Sequence, residues 1–211
     1  MNFNQNLSLA KAEQATFIYN LARLEQVPVT NEQVETIVAG KSVSNLRIDD
    51  LQKVLNLYYA WNYMINNIHA PFSLEFTKKI NGYVAYNESV EWGVIRSGTV
   101  GITGVNYRPS VPVEQDIWSS INDVINNQNS SRSVLKFMLW TMRSQLFWDG
   151  NKRTSIISVN KLLIQHGNGL LSVPESSLTD FHLMLTNYYE TADDSKLITY
   201  LYDNCIHLYD N

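Results

Sequence analysis

The sequence predicts a mostly α-helical domain that contains one β-hairpin. Apolar residues recur every three to four positions over most of the chain, which is the spacing of an amphipathic helix. Residues that favour helix N-termini stand before several of these patterns and support the same assignment. One stretch, residues 90–108, interrupts the helical spacing with glycines and β-branched residues. It is the one part of the chain for which we expect strands.

The helices follow from these patterns and from their caps. Thr30 and Gln33 form a capping box, in which Thr30 is the N-cap and the Gln33 side chain reaches back to it. Ser73 is expected to cap another helix in the same way. In chain order we expect helices at residues 8–26, 31–40, 48–68, 74–86, 113–125, 131–145, 153–166, 177–189 and from 195 onwards.

The β-hairpin is predicted at residues 92–104. Its four glycines would each weaken a helix by about 1 kcal/mol relative to alanine. Apolar β-branched residues flank Ser97-Gly98, a pair that is typical of a turn between two strands. A lone two-stranded hairpin is marginally stable in water. We therefore expect this hairpin to rest on the helices.

The composition excludes several classes of protein and of site. We expect 211 residues to form one domain, 1–211, with its core at 47–205, and 45% hydrophobic with 17% charged residues is typical of a globular protein. A net charge of −4 gives no sign of nucleic-acid binding. The single cysteine, Cys205, excludes an internal disulfide and a cysteine-based zinc site. No apolar run is long enough to span a membrane. We expect a cytoplasmic protein that binds neither nucleic acid nor membranes.

A short polar turn, residues 145–154, joins two strongly apolar helices and is the candidate site. The first N–H groups of the second helix have no partner within that helix, and they carry the positive end of its dipole. Lys152 and Arg153 stand beside these groups, so the turn has the composition of a phosphate site. Gly150 allows a sharp turn close to a ligand. Asp149 is the one carboxylate in the turn that could hold Mg²⁺.

These residues resemble the motif of the Fic/Doc family, which is His-x-Phe-x-Asp/Glu-Gly/Ala-Asn-Gly/Lys-Arg between two helices. The positions that match are Phe147, Asp149, Gly150, Asn151, Lys152 and Arg153, and the run into Thr154 is similar to the Doc branch. Gln145 stands where the family has its catalytic histidine. Ile156 stands where the family has a second arginine.

The resemblance extends to the predicted hairpin and to the N-terminal helix. In the family a hairpin called the flap lies at the position of residues 92–104, and a segment of the target protein lies over it. Many members also have an N-terminal helix with Ser/Thr-x-x-x-Glu-Gly/Asn, whose glutamate blocks productive ATP binding. Glu25 falls at that glutamate, although Leu21 and Gln26 depart from the pattern. The helix at 8–26 is thus a candidate inhibitory helix.

The resemblance implies transfer of AMP from ATP to a hydroxyl of a protein target, with Mg²⁺ at Asp149 and phosphates at Gly150, Asn151, Lys152 and Arg153. The Doc branch transfers a phosphate instead. A glutamine amide does not take up a proton at working pH, and loss of a general base costs about 10²–10⁴ in rate. We therefore expect transfer to be weak or abolished, and a non-catalytic module that binds a nucleotide or a protein remains the alternative.

Three further expectations concern Trp148, the histidines and Glu25. Trp148 is expected to be an aromatic residue at the rim of the site that packs on the core. The four histidines, His69, His166, His182 and His207, show no metal-ligand spacing with acidic residues and are interpreted as surface or capping residues. In the family, the inhibitory glutamate pairs with the second motif arginine. Because Ile156 stands at that position and cannot make the pair, Glu25 is expected to turn to solvent or to another cation, with Arg153 the nearest. On that basis, Glu25 is not expected to act as a strong brake.

Overall fold

The computed structural model describes residues 1–127 and 130–208, and these form ten α-helices and one small sheet. The helices are α1 Phe3–Ala12, α2 Gln14–Leu24, α3 Asn31–Val38, α4 Ile48–Asn66, α5 Leu74–Val84, α6 Glu114–Asn126, α7 Ser131–Ser144, α8 Asn151–Gln165, α9 Leu178–Thr191 and α10 Ser195–Cys205. A short 3-10 helix, Glu175–Ser177, precedes α9. The mostly helical class predicted from the sequence is confirmed. None of the helices in the described part of the chain is long and apolar enough to span a membrane.

The helix caps agree with the local sequence in two places. Thr30 Oγ1 accepts from Gln33 N–H, and the Gln33 side chain accepts from Thr30 N–H, as expected for a capping box. Ser73 Oγ accepts from Phe76 N–H at the start of α5. Both caps use groups three residues apart, so the sequence alone was sufficient to place them.

The N-terminal helix differs from the prediction. Residues 8–26 do not form one helix, because the chain turns at Glu13 between α1 and α2. A capping box of Asn2 and Gln5, which the sequence analysis missed, starts α1 earlier than expected. The turn lets α1 pack on α8 while α2 packs on α3 and α4. Only the second of the two helices ends beside the candidate site.

α8 is the centre of the fold. It packs on α7, α5, α4 and α1, and nearly all of its residues are buried. α7 precedes it in the chain and packs along it, so the turn between them, residues 145–150, is held by two buried helices. This agrees with the prediction that the motif joins two central helices.

The one small sheet among the described residues lies elsewhere than expected. It pairs β1, Leu170–Leu171, with β2, Ile206–His207, in antiparallel register. The stretch 92–104 contains turns and extended backbone but no paired strands, so the prediction of a hairpin there is wrong in this detail. The physical reason is that a lone hairpin has little stability of its own, whereas a single buried arginine, Arg96, holds this stretch against the helices. Residues 92–104 are called the flap.

Lys161 is a buried cation in the middle of α8. Its Nζ donates to the carbonyls of Asn67 and Ile68, at 2.7 and 2.5 Å, just past the C-terminus of α4. A cation at this place interacts favourably with the dipole of α4. Its ammonium also lies 5.1 Å from the centroid of the Phe76 ring. Burial lowers the pKa of Lys161 to about 8.

The lowered pKa of Lys161 predicts a pH dependence of stability. The folded chain releases this proton near pH 8, whereas the unfolded chain keeps it until about pH 10.5, so between these values the unfolded state binds more protons. The free energy of unfolding therefore gains a contribution that rises from about pH 8 to about pH 10. Urea unfolding at pH 7, 8, 9 and 10 of wild type and Lys161→Met measures it.

Lys161→Met lacks this contribution. The unfolding free energy of wild type minus that of the variant should therefore rise with pH. Burial raises the pKa of Tyr188 and of Cys205 to about 12, and these groups oppose the rise because the folded state keeps their protons longer. They are present in both proteins and cancel in the difference. A difference that is constant from pH 7 to pH 10 would contradict the prediction.

Candidate functional site

The turn between α7 and α8 is bounded by two residues in the left-handed region. Gln145 ends α7 at φ 47° and ψ 62°, and Gly150 begins α8 at φ 73° and ψ 13°. A side chain at Gly150 would also clash, because a Cβ there would lie 2.8 Å from Val84 Cγ1 on α5. Glycine is thus required for both backbone conformation and space. The turn is fixed in shape before any ligand binds.

Gln145 uses both ends of its amide within the protein. Its Nε2 donates to the Met142 carbonyl at 2.7 Å, one turn back in α7. Its Oε1 accepts from Asn151 Nδ2 at 3.1 Å. The side chain therefore closes the end of α7 and links it to the start of α8. An amide held in this way positions groups, but it cannot remove a proton.

Asn151 is buried and closes the turn. Its Oδ1 accepts from Phe147 N–H at 2.9 Å, and its Nδ2 donates to the Phe147 carbonyl at 2.8 Å. It also lines the cavity that opens over this turn, and its binding of phosphate stays a prediction. These two hydrogen bonds hold the loop around Phe147.

The cations at the start of α8 are both paired with carboxylates. Lys152 Nζ lies 3.2 Å from Glu25 Oε1, at the end of α2. Arg153 Nη1 lies 3.0 and 2.9 Å from the two oxygens of Glu88, in the loop after α5. Arg153 Nη2 lies 3.6 Å from Asp149 Oδ1. The expectation that Glu25 would find another cation is met by Lys152, with Arg153 Nε farther away at 3.9 Å.

A cavity of about 580 Å³ opens over this turn. Asp149, Gly150 and Lys152 line it from the motif, and Glu25 lines it from α2. The flap contributes Gly101, Ile102 and Thr103, and α9 contributes four side chains. Arg153 is not among the lining residues and is almost fully buried. The structure thus brings Lys152, Asp149, Gly150, Asn151, Gln145 and Glu25 to one cavity and leaves Arg153 behind it.

The fit of a magnesium ion rests on Asp149. Its side chain is 49% exposed at the cavity, and its Oδ1 accepts from Gly150 N–H at 2.5 Å. The described residues contain no cluster of three His, Cys, Asp or Glu residues that could hold a metal ion. One carboxylate suits Mg²⁺ that also binds substrate phosphates, because this ion is commonly held by one or two carboxylates and the phosphates themselves.

Arg96 connects the flap to the end of α7. Its side chain is 1% exposed, and its guanidinium donates to the carbonyls of Gln145 and Ser144, which α7 leaves without partners. It also donates to Gly98 and Ser110 carbonyls, each at 2.5 Å. Burial lowers the pKa of Arg96. The role of this arginine was not predicted from the sequence.

His182 and Trp148 complete the surroundings. His182, on α9, lines the cavity, although the sequence analysis treated it as an ordinary surface or capping residue. Burial lowers its pKa, and the charge of Lys152 lowers it further. No local pattern could have found it, because α9 reaches the site only through the tertiary fold. Trp148 is half-buried at the rim, where its indole N–H donates to Glu91 at 3.1 Å, and its ring lies against Gly98.

Comparison with known proteins gives a similar fold in solved structures. A signaling protein of Bacteroides thetaiotaomicron that contains a Fic domain superposes with a TM-score of 0.77 at 16% identity, over 94% of this chain and 86% of that one. Fic-1 of C. elegans gives 0.71 at 17% identity, over 90% and 59%. A Fic family protein of Desulfovibrio desulfuricans gives 0.71 at 17% identity, over 93% and 63%. The chain thus spans less than two thirds of the last two.

The sequence itself has no comparable match. No model of a protein family matches it, and no curated protein matches it. The likeness to known proteins therefore lies in the fold, at an identity of 16–17%.

Proposed function

Because the chain has the Fic fold, we propose that it binds a nucleotide at the N-terminus of α8, as a Fic-type protein adenylyltransferase whose activity is weak or abolished. The observation that carries the proposal is the cavity over the turn, where Lys152, the first N–H groups of α8 and the glycine at position 150 meet. This combination suits the phosphates of a nucleotide. ATP is the proposed substrate, and a protein hydroxyl presented along the flap is the proposed acceptor.

The reaction that fits such a site forms a bond from the acceptor oxygen to the α-phosphorus of ATP. The bond from that phosphorus to the diphosphate breaks, and pyrophosphate leaves with the electron pair. Lys152 and the N–H groups of α8 would hold phosphate oxygens and orient them, which is the main requirement of this kind of transfer. Mg²⁺ held at Asp149 would neutralise phosphate charge. The proton of the acceptor hydroxyl has no base at position 145 to accept it and would have to pass to solvent water, which makes the step slow.

Glu25 enters the proposal as a competitor for phosphate. Its carboxylate is paired with Lys152 at 3.2 Å inside the cavity. Two contacts hold the helix that carries it, because Arg23 Nη2 lies 2.8 Å from Glu175 and Asn20 Nδ2 donates to Ser172 at 3.0 Å. A phosphate that approaches Lys152 must displace Glu25 from it. We therefore propose that Glu25 hinders phosphate binding through its pair with Lys152, whereas the sequence led us to expect that it would not act as a strong brake.

The binding of Mg-ATP tests the proposal, with calorimetry as the measurement. Lys152→Ala should weaken binding about tenfold or more, because a charge-assisted hydrogen bond contributes about 1.5–3 kcal/mol. Glu25→Gln should strengthen binding, because the amide does not compete as an anion. Lys41→Ala removes an exposed lysine in the loop after α3 and serves as the matched control, with no change expected. Equal affinity of Lys152→Ala and wild type, or no binding by any variant, would count against the site.

A non-catalytic module that binds a nucleotide or a protein is the second candidate. The observation that favours it is the engagement of both ends of the Gln145 amide, with Met142 and with Asn151. A residue that has become part of the scaffold in this way serves the fold rather than the chemistry. Phosphate transfer of the Doc type is a further alternative, and labelling from γ-labelled rather than α-labelled ATP would identify it.

A further inference from the structure

We propose that Glu88 is a positioning residue for the nucleotide site, which holds Arg153 so that its Nε–H faces the place now taken by the Glu25 carboxylate. This inference rests on the proposed nucleotide binding and adds Glu88 to it. The phosphate subsite then has two cationic contacts, which are Lys152 and the Nε edge of Arg153. The ligand class is a diphosphate or triphosphate group.

The first step of the argument is an unpaired donor. Arg153 Nε is buried and has no hydrogen-bond partner, although the guanidinium is surrounded by carboxylates. A buried donor without a partner is costly, and in a native structure it calls for an explanation, of which a functional role is one. The nearest carboxylate on that edge is Glu25, whose Oε1 lies 3.9 Å away, beyond hydrogen-bond distance.

The second step is the geometry around Glu25. The same Oε1 lies 3.2 Å from Lys152 Nζ, and Glu25 is one of the residues that line the cavity. It therefore marks a point that both cations of the motif can reach. A phosphate oxygen that replaced it, placed about 1 Å nearer to Arg153, would satisfy the Nε–H as well as the lysine.

The third step is the support of Arg153 by Glu88. Both Glu88 oxygens lie within 3.0 Å of Arg153 Nη1, and the Glu88 side chain is only 11% exposed. Glu88 Oε1 also accepts from Asn56 Nδ2 at 3.2 Å, and Asn56 is itself buried in α4. The carboxylate is thus anchored to the core on one side and to the guanidinium on the other. With Nη1 fixed, the Nε edge points towards Glu25.

The fourth step is the charge of the arrangement. Three carboxylates, Glu25, Glu88 and Asp149, surround two cations, Lys152 and Arg153. Removing the Glu25 charge leaves two of each sign, and Glu88 then keeps Arg153 in place without entering the cavity. Glu88 lies behind Arg153 and is not among the residues that line the cavity, so it positions the cation rather than competing for it.

The test measures binding of inorganic pyrophosphate and of Mg-ATP to the full chain with Glu25→Ala, which opens the subsite. Adding Glu88→Ala should weaken both affinities about tenfold, and adding Arg153→Ala should weaken them about as much. In the background of Arg153→Ala, Glu88→Ala should have no further effect, because Glu88 acts through that arginine. Binding of adenosine, which has no phosphate, should change in none of these variants.

The controls separate positioning from general damage. Glu91→Ala alters a carboxylate of the same loop that contacts Trp148 and neither cation, and it should leave pyrophosphate affinity unchanged. Glu88→Gln keeps an acceptor for Arg153 and Asn56, so it should retain part of the affinity and also covers the case in which Glu88→Ala does not fold. Full pyrophosphate affinity in both Glu88 variants, or an equal loss in the Arg153→Ala background, overturns the inference alone. No binding of pyrophosphate or ATP to Glu25→Ala overturns the proposed function and this inference with it.

Discussion

Replacing Gln145 with histidine is expected to raise AMP transfer by about 10²- to 10⁴-fold, the usual contribution of a general base. The rest of the site needs no change, since Lys152, Asp149 and the N-terminus of α8 already line the cavity. Histidine also suits the backbone at this position, because Gln145 has φ 47° and histidine is among the residues enriched in the left-handed region. Incorporation of label from α-labelled ATP into the protein itself or into a lysate is the measurement.

The matched control for this prediction is Gln145→Asn. It keeps an amide, tolerates the left-handed backbone and provides no base, so it should remain at the level of wild type. Adding Glu25→Gly to Gln145→His should raise transfer further, because Lys152 is then released for phosphate. Robust transfer by the wild-type chain would show that the missing base does not limit the rate. A silent Gln145→His variant that still binds Mg-ATP would favour the non-catalytic module.

Replacing Arg96 with methionine is expected to lower the free energy of unfolding by about 3 kcal/mol or more. The guanidinium donates to four carbonyls, and a hydrogen bond from a charged donor contributes about 1.5–3 kcal/mol. The net contribution of Arg96 to the free energy of unfolding is smaller than the sum of four such bonds, because burial of the charge is itself unfavourable. The lowered pKa of Arg96 indicates this cost. Methionine retains most of the length and apolar contact of the side chain.

Urea unfolding with linear extrapolation measures the effect. Arg47→Met is the matched control. That arginine is exposed, and its Nη2 lies 3.8 Å from Asp49 Oδ2 in a solvent-accessible ion pair. It should change stability by less than about 0.5 kcal/mol. An Arg96→Met variant as stable as Arg47→Met would show that the four carbonyls find other donors. In a stable variant, loss of the link between the flap and Gln145 would be visible instead as faster amide exchange at residues 96–98.

The flap shows why strand predictions from local pattern are less secure than helix predictions. Glycines and β-branched residues on either side of Ser97-Gly98 are a genuine hairpin pattern. A ladder of strands, however, has to compete with every other partner that the same backbone can find. Here Arg96 N–H donates to the Leu146 carbonyl, and the Arg96 side chain donates to the carbonyls of Gly98 and Ser110. The stretch is therefore fixed to the helix ends rather than paired with itself.

The sequence by itself determined the helical class, most helix boundaries and the position of the motif between two central helices. These features depend on groups three or four residues apart, such as Thr30 with Gln33, and on apolar spacing that survives in any helical packing. It also determined the chemistry at position 145, because an amide lacks a basic group wherever the fold places it.

Only the tertiary structure decided which charges meet. Glu88 and Arg153 are 65 residues apart, and the Arg96 side chain and the Gln145 carbonyl are 49 apart. Glu25 pairs more closely with Lys152 than with Arg153, and His182 on α9 lines the cavity. The energy of such a pair depends on distance and burial, which are set by the packing of whole helices and leave no periodic trace along the chain. For that reason the position of the turn between two helices could be predicted from the sequence, whereas the partners of its charged residues could not.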